Sequence, residues 1–97
     1  MLNRKLTPII AGRSVKSVMQ SEEALHIEFE DGSILKFKVS GAPFTNSIAG
    51  KKVKAVRQKA TEFDLDFADG TSVAITLAEE TSSVMLRRGT GELEYAD

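Results

Sequence analysis

The sequence predicts an all-β fold: two pseudo-twofold-related three-stranded meanders (a 38-residue internal repeat) forming a small barrel or sandwich, plus a C-terminal β-hairpin. Three observations carry this expectation. Residues 10–39 align with 48–77 without a gap and share ten identities, among them Gly12/Gly50, Val15/Val53, Phe29/Phe67, Asp31/Asp69 and Gly32/Gly70. Each copy holds two runs with an apolar residue at every second position, the period of a strand with one buried face. These are Leu25, Ile27, Phe29 with Leu35, Phe37, Val39, and then Phe63, Leu65, Phe67 with Val73, Ile75, Leu77. An Asp-Gly pair separates the two runs in each copy, which is a hairpin signal.

Each unit opens with an irregular segment, Leu6-Thr7-Pro8-Ile9-Ile10-Ala11-Gly12 or Phe44-Thr45-Asn46-Ser47-Ile48-Ala49-Gly50. Thr at the front and Gly at the end predict one helical turn with an N-cap and a left-handed stop. Leu6 and Phe44 are its apolar plugs. The first strand follows at about 13–20 and 51–58. Its shared valines sit three apart (Val15 and Val18; Val53 and Val56), which breaks strict alternation and predicts a β-bulge where the sheet curls.

The hairpin register follows from side-chain phase. A two-residue loop would oppose Ile27 to Lys36 and mix the faces. A three-residue loop of Glu30, Asp31 and Gly32 pairs Ile27 with Leu35 and Leu25 with Phe37, so the large apolar residues share one face. The same rule in the second copy pairs Leu65 with Val73 and Phe63 with Ile75. Asp31 and Asp69 are then turn residues, and Gly32 and Gly70 take the positive-φ position that glycine tolerates.

After Leu77 the repeat ends. Ser83–Arg88 reads as another strand, and Gly89-Thr90-Gly91 turns it back into Glu92–Tyr95. This hairpin either covers an edge of the repeated body or serves a partner chain. The chain is thus one domain, 1–97, with repeat 1 about 2–39, repeat 2 about 40–77 and the hairpin about 83–96.

Composition narrows the function classes. Hydrophobic content of 41% with 28% charge is that of a soluble globular protein. Zero cysteines exclude disulfides, thiolate metal sites and a cysteine nucleophile. A net charge of −1 gives no global pull toward nucleic acid or anionic lipid. No apolar run approaches the roughly 20 residues of a membrane span. The opening Met1–Pro8 lacks the apolar core of a signal peptide, which predicts a cytoplasmic protein without a membrane partner.

Few residue sets point to chemistry. His26, the single histidine, is expected to face outward opposite Lys36 and beside Glu28, as a solvated strand residue. Asp64 and Asp66 point to the same side of one strand, near enough for a divalent cation or a shared proton, which gives a hydrolase or metal-dependent reading. The preceding basic strand, Lys51, Lys52, Lys54, Arg57 and Lys59, could follow phosphates along a groove. It is expected instead to pair with Glu62, Asp64 and Asp66 as a structural face. Gly89-Thr90-Gly91 lacks the lysine and helix of a phosphate loop.

The pattern Gly12, Val15, Val18, then Leu25-x-Ile27-x-Phe29-x-Asp31-Gly32 resembles the early strands of formamidopyrimidine-DNA glycosylases. It is also similar to that of small bacterial β-rich domains of unknown function. The glycosylases carry their chemistry on a proline and a glutamate after the initiator methionine, where this chain has Leu2 and Asn3. The resemblance covers about a third of the chain and implies strand geometry, not activity.

The expectation is therefore a small non-enzymatic protein-interaction or self-associating β module. It has no catalytic, metal or cofactor residues, and its partner is another protein or a second copy. Nucleic-acid binding through 51–59 is the second reading, and a site at Asp64/Asp66 the third.

Overall fold

The computed structural model describes residues 2–39, 47–80 and 82–97. The described elements are one short helix, α1 (Thr7–Ile10), and eight strands: β1 (Val15–Gln20), β2 (Ala24–Phe29), β3 (Ile34–Lys38), β4 (Val53–Lys59), β5 (Glu62–Phe67), β6 (Ser72–Thr76), β7 (Val84–Arg87) and β8 (Leu93–Ala96). They form two antiparallel sheets, one of five strands ordered β1-β2-β3-β7-β8 and one of three ordered β4-β5-β6. The sheets do not close into a barrel, which corrects that alternative. Closure requires the outermost strands to pair along their length, and the terminal hairpin instead extends one sheet outward.

The hairpin registers follow the apolar phase. Ile27 stands opposite Leu35 and Leu25 opposite Phe37, while Leu65 meets Val73 and Phe63 meets Ile75. In the turns Phe29 N–H donates to Ser33 O and Phe67 N–H to Thr71 O, with Gly32 at φ 87° and Gly70 at φ 88°. Bulges interrupt the first strands at Val15/Ser17 and at Val53/Ala55, where the valine spacing places them.

Backbone bonds join the two sheets near the starts of β1 and β4. Gly12 N–H donates to Val53 O at 2.8 Å, and Gly50 N–H to Val15 O at 2.7 Å. Val53 N–H donates to Arg13 O at 2.9 Å, and Val15 N–H to Lys51 O at 2.8 Å. Each bond is the other's counterpart shifted by 38 residues. At the far end Val39 bridges Leu77, again 38 apart.

One hydrophobic cluster draws on both sheets. Phe29, Phe37, Phe63 and Phe67 are fully buried, and the Phe37 and Phe63 rings meet edge-to-face at 4.7 Å across the two sheets. Leu6 and Ile10 of the N-terminal segment are also fully buried. Gly12 (φ 92°) ends the turn as expected, but Thr7 is not the cap. Asn3 Oδ1 accepts from Leu6 N–H at 2.9 Å, and the Thr7 hydroxyl accepts from Val56 N–H at 3.0 Å, fastening α1 to β4. Phe44, Thr45 and Asn46 of the second opening segment lie outside the described residues.

The terminal hairpin covers an edge of this body. β7 pairs with β3 from Ile34↔Arg87 to Phe37↔Val84, which buries Val84 and Leu86.

Candidate interaction surface

The outward faces of the two sheets differ in kind. On the three-stranded sheet cross-strand register sets Arg57 beside Asp64 and Ala74, Ala55 beside Asp66 and Ser72, and Lys59 beside Glu62 and Thr76. That face is charged or small throughout. On the five-stranded sheet one row runs Met19, His26, Lys36, Met85, Ala96 and the next runs Ser17, Glu28, Ile34, Arg87, Leu93. Met19 is 63% exposed, Leu93 52% and Ile34 40%, and these are three of the four large apolar side chains exposed among the described residues.

The contrast is sharpest at aligned positions. In the 38-residue alignment Met19 matches Arg57, His26 matches Asp64 and Ile34 matches Ser72. Where one sheet carries an ion pair, the other carries a thioether and an imidazole. Inward positions of both copies are held alike by the shared core, so the difference is confined to the side that faces solvent.

His26 sits as expected opposite Lys36, but it is half-buried and its Nε2 atom has no hydrogen-bond partner. This corrects the expectation of a solvated residue, since Met19 and Lys36 flank it across both strands. A buried polar atom without a partner costs about 1–3 kcal/mol. A cleft of about 550 Å³ lies beside it, lined by Ile34, Lys36, Met85 and Arg87 among others. A second of about 380 Å³ shares Lys36 and Met85. Lys16, Lys36, Lys38 and Arg87 stand among these apolar side chains, opposed on this face by Glu28, which approaches Lys16 at 4.0 Å. Apolar and cationic side chains thus alternate on this face: Ile34 and Lys36 stand on the central strand, Met85 and Arg87 on the next, and Met19 and Leu93 on the two outer strands.

The basic strand does not behave as one unit. Arg57 grips Asp66 through Nε at 2.8 Å and Nη2 at 2.9 Å, and reaches Asp64 at 3.9 Å. Lys51 turns to the hairpin, donating to Asp69 at 2.7 Å and to the Thr71 hydroxyl at 2.8 Å. Lys52, Lys54 and Lys59 make no ion pair within 4.0 Å among the described residues, so the expected pairing with Glu62, Asp64 and Asp66 holds for Arg57 alone.

The Asp64/Asp66 pair is accordingly occupied. Asp66 takes two bonds from Arg57 and one from Ser72 Oγ at 2.6 Å, and the arginine holds its carboxyl below the ordinary range against partial burial. Among the described residues no three carboxylate or imidazole groups converge as metal ligands do. Asp31 and Asp69 serve their turns, accepting from Ser33 N–H and Thr71 N–H at 2.9 Å each. Lys51, with Thr71, holds the Asp69 carboxyl far below its usual range.

One polar cluster had no sequence signal. Arg13, at the entry to β1, clasps Glu94 of β8 with Nη1–Oε2 at 2.8 Å and Nη2–Oε1 at 2.9 Å. Arg13 Nη1 also donates to Ser33 Oγ at 2.9 Å, and Arg13 Nε lies 3.5 Å from Asp31. The bond to Glu94 raises the Arg13 guanidinium against its own burial, and the same bond lowers Glu94. The clasp fixes the terminal hairpin and hence the position of Leu93 beside Arg87.

No protein-family model, curated protein or solved structure matches this chain. The surface's own chemistry is therefore what bears on function. Among the described residues no helix is long and apolar enough to cross a membrane.

Proposed function

We propose that this chain is a non-enzymatic protein-interaction module that docks a partner protein on the outward face of its five-stranded sheet. One observation carries the reading: Met19, Ile34 and Leu93 are all exposed on that face, with Met85 diagonal to both Ile34 and Leu93, while the aligned face of the other sheet holds ion pairs. Exposed apolar side chains gathered on one surface mark interaction sites far more often than singly scattered ones do. The interspersed Lys36, Lys38 and Arg87 select the partner, which carries carboxylates among apolar side chains. The unpartnered His26 Nε2 adds a polar contact for that segment to satisfy.

The finer architecture belongs to the same proposal. The sheets form a sandwich of two meanders related by a pseudo-twofold axis, and the reciprocal bonds at Gly12/Val53 and Gly50/Val15 support it. In this account one copy kept a polar outward face and the other became the docking surface.

Selection of a random peptide library on the full chain tests the function. Enriched peptides should combine Leu, Phe or Met with Asp or Glu. They should bind Met19→Lys/Ile34→Lys at least about tenfold more weakly, a loss of about 1.4 kcal/mol. Basic peptides, peptides indifferent to the double variant, or no enrichment would each overturn the assignment.

A second reading has its own support: Lys52, Lys54 and Lys59, on one strand and its approach, make no ion pair within 4.0 Å among the described residues. Phosphate contacts there would give binding of DNA or RNA that falls steeply from about 50 to 200 mM salt. The buried Phe29, Phe37, Phe63 and Phe67 offer no stacking platform for bases, which places this reading second.

A further inference from the structure

On the docking face Lys36 and Arg87 make no ion pair within 4.0 Å among the described residues. Register sets Ile34 opposite Arg87 and Lys36 opposite Met85, so the four form a square. Cations occupy one diagonal of it and apolar side chains the other. Diagonal positions on neighbouring strands stand about 7–8 Å apart, so a lysine and an arginine there both reach a group held between them. His26 flanks Lys36 on the other side. All five residues line the cleft of about 550 Å³.

No carboxylate lines this cleft. Arg88, which also lines it, is answered by Glu92 at 3.5 Å and Glu94 at 3.4 Å. Arg87 is held by a bond from Nη1 to Gly91 O at 3.0 Å, which leaves its Nε and Nη2 donors for a ligand. Glu28, opposite Ile34, is turned toward Lys16 at 4.0 Å and Ser17 Oγ at 3.3 Å. His26 Nε2 has no partner. Backbone closes one end: a Cβ on Gly89 would stand 3.3 Å from Gly32 O, so the β7–β8 turn rests directly on the β2–β3 turn.

We infer that the cleft receives a phosphoryl group on a side chain of the docked segment, an inference that rests on the docking reading and names its anion. Charge decides between the candidate anions. A phosphomonoester carries about −1.5 to −2 near neutral pH and matches two unanswered cations, whereas a carboxylate matches one. Its three oxygens also suit the donors: the Arg87 guanidinium, Lys36 Nζ, and His26 in the tautomer with its proton on Nε2. Ile34 and Met85 take the apolar part of the segment beside the phosphoryl group. Lys36, Arg87 and Ile34 are exposed, while a free small molecule is held by burying most of its surface. The open site therefore favours a group presented by a bound chain.

Two measurements on the full chain decide it. In the first, phenyl phosphate is titrated while the His26 imidazole and Met85 methyl resonances are followed. It should bind at least about fivefold more tightly than benzoate. Lys36→Gln/Arg87→Gln should abolish that preference, and Lys54→Gln on the other sheet should keep it. In the second, each acidic residue of a peptide selected on the chain is replaced in turn by phosphoserine. One replacement should raise affinity at least about tenfold on wild type and no more than about twofold on the double variant. Fixed His26 and Met85 resonances, equal binding of phenyl phosphate and benzoate, or a preference that survives in the double variant would overturn the inference. So would phosphoserine peptides that bind no more tightly than their parents, and in each of these cases an enriched peptide still supports docking. A phenyl phosphate preference in a chain that enriches no peptide would overturn the phosphorylated segment and point to a free phosphomonoester.

Discussion

Removing the charge of Glu94 should loosen the five-stranded sheet by about 2 kcal/mol at neutral pH. The magnitude follows from the geometry: two short bonds from Arg13 join groups whose side chains are only 18% and 11% exposed. Hydrogen bonds to charged groups contribute about 1.5–3 kcal/mol net. Arg13 keeps Ser33 and Asp31 in the variant, which holds the loss toward the lower end. In a domain of this size 2 kcal/mol corresponds to a fall in Tm of about 10 °C. The loss should also depend on pH. The folded-state pKa of Glu94 is lowered, so its contribution is complete above the unfolded value of about 4.3 and disappears as pH falls through the folded value. Thermal unfolding of wild type and Glu94→Gln from pH 7 to pH 2 should show the gap closing below about pH 4. A gap under about 0.5 kcal/mol at pH 7 would mean that the pair behaves as an exposed surface bridge. A gap of the same size at pH 7 and pH 2 would show that the charge is not what stabilises it.

Three further variants test the fold's devices by chemical denaturation. Gly70→Val should cost about 1–3 kcal/mol, because the added Cβ meets no atom within 4 Å and only the positive φ opposes it; an unchanged midpoint would refute the left-handed turn. Ala60 joins β4 to β5 at φ 52°, so Ala60→Gly should relieve strain and raise stability by about 0.5 kcal/mol, visible as a small rise in Tm. Leu86→Ala, at a fully buried position of β7, should lose about 2–5 kcal/mol, and a loss below 1 would mean that the terminal hairpin is not part of the core.

Much of the fold could be read from residue order because the hairpins are local. Leu25, Ile27 and Phe29 against Leu35 and Phe37 admit one register that keeps all five in the core, and the loop length follows from it. The bulges were legible for a similar reason, since Val15 and Val18 cannot both face inward on an unbroken strand. The choice between open sheets and a barrel depends on which edges meet, and periodicity carries no such information. The seating of β7 on β3 was equally hidden, because Val84 and Leu86 would suit any apolar edge. Arg13 and Glu94 stand 81 residues apart, and no local pattern links them.

The docking face stayed unseen for another reason. Met19, Ile34, Met85 and Leu93 are isolated apolar residues along the chain, and only cross-strand register sets Ile34, Met85 and Leu93 on the diagonal of adjacent strands and Met19 on the same face. A signal did exist. Comparing outward positions of the two copies, Met19 with Arg57 and Ile34 with Ser72, would have marked the first copy's face as different. The basic strand drew attention because its charges are contiguous, yet its members diverge in space toward Asp66, Asp69 and solvent.

The docking claim is tested most directly by methyl spectroscopy of the full chain labelled at its methionines. On titration with a peptide selected on the wild-type chain, the Met19 and Met85 methyl resonances should shift and saturate together, with the His26 imidazole moving in the same range. The amides of residues 51–59 should stay in place. Methionine signals that remain fixed while the amides of Lys52, Lys54 and Lys59 shift would contradict the account and move the binding surface to the basic strand.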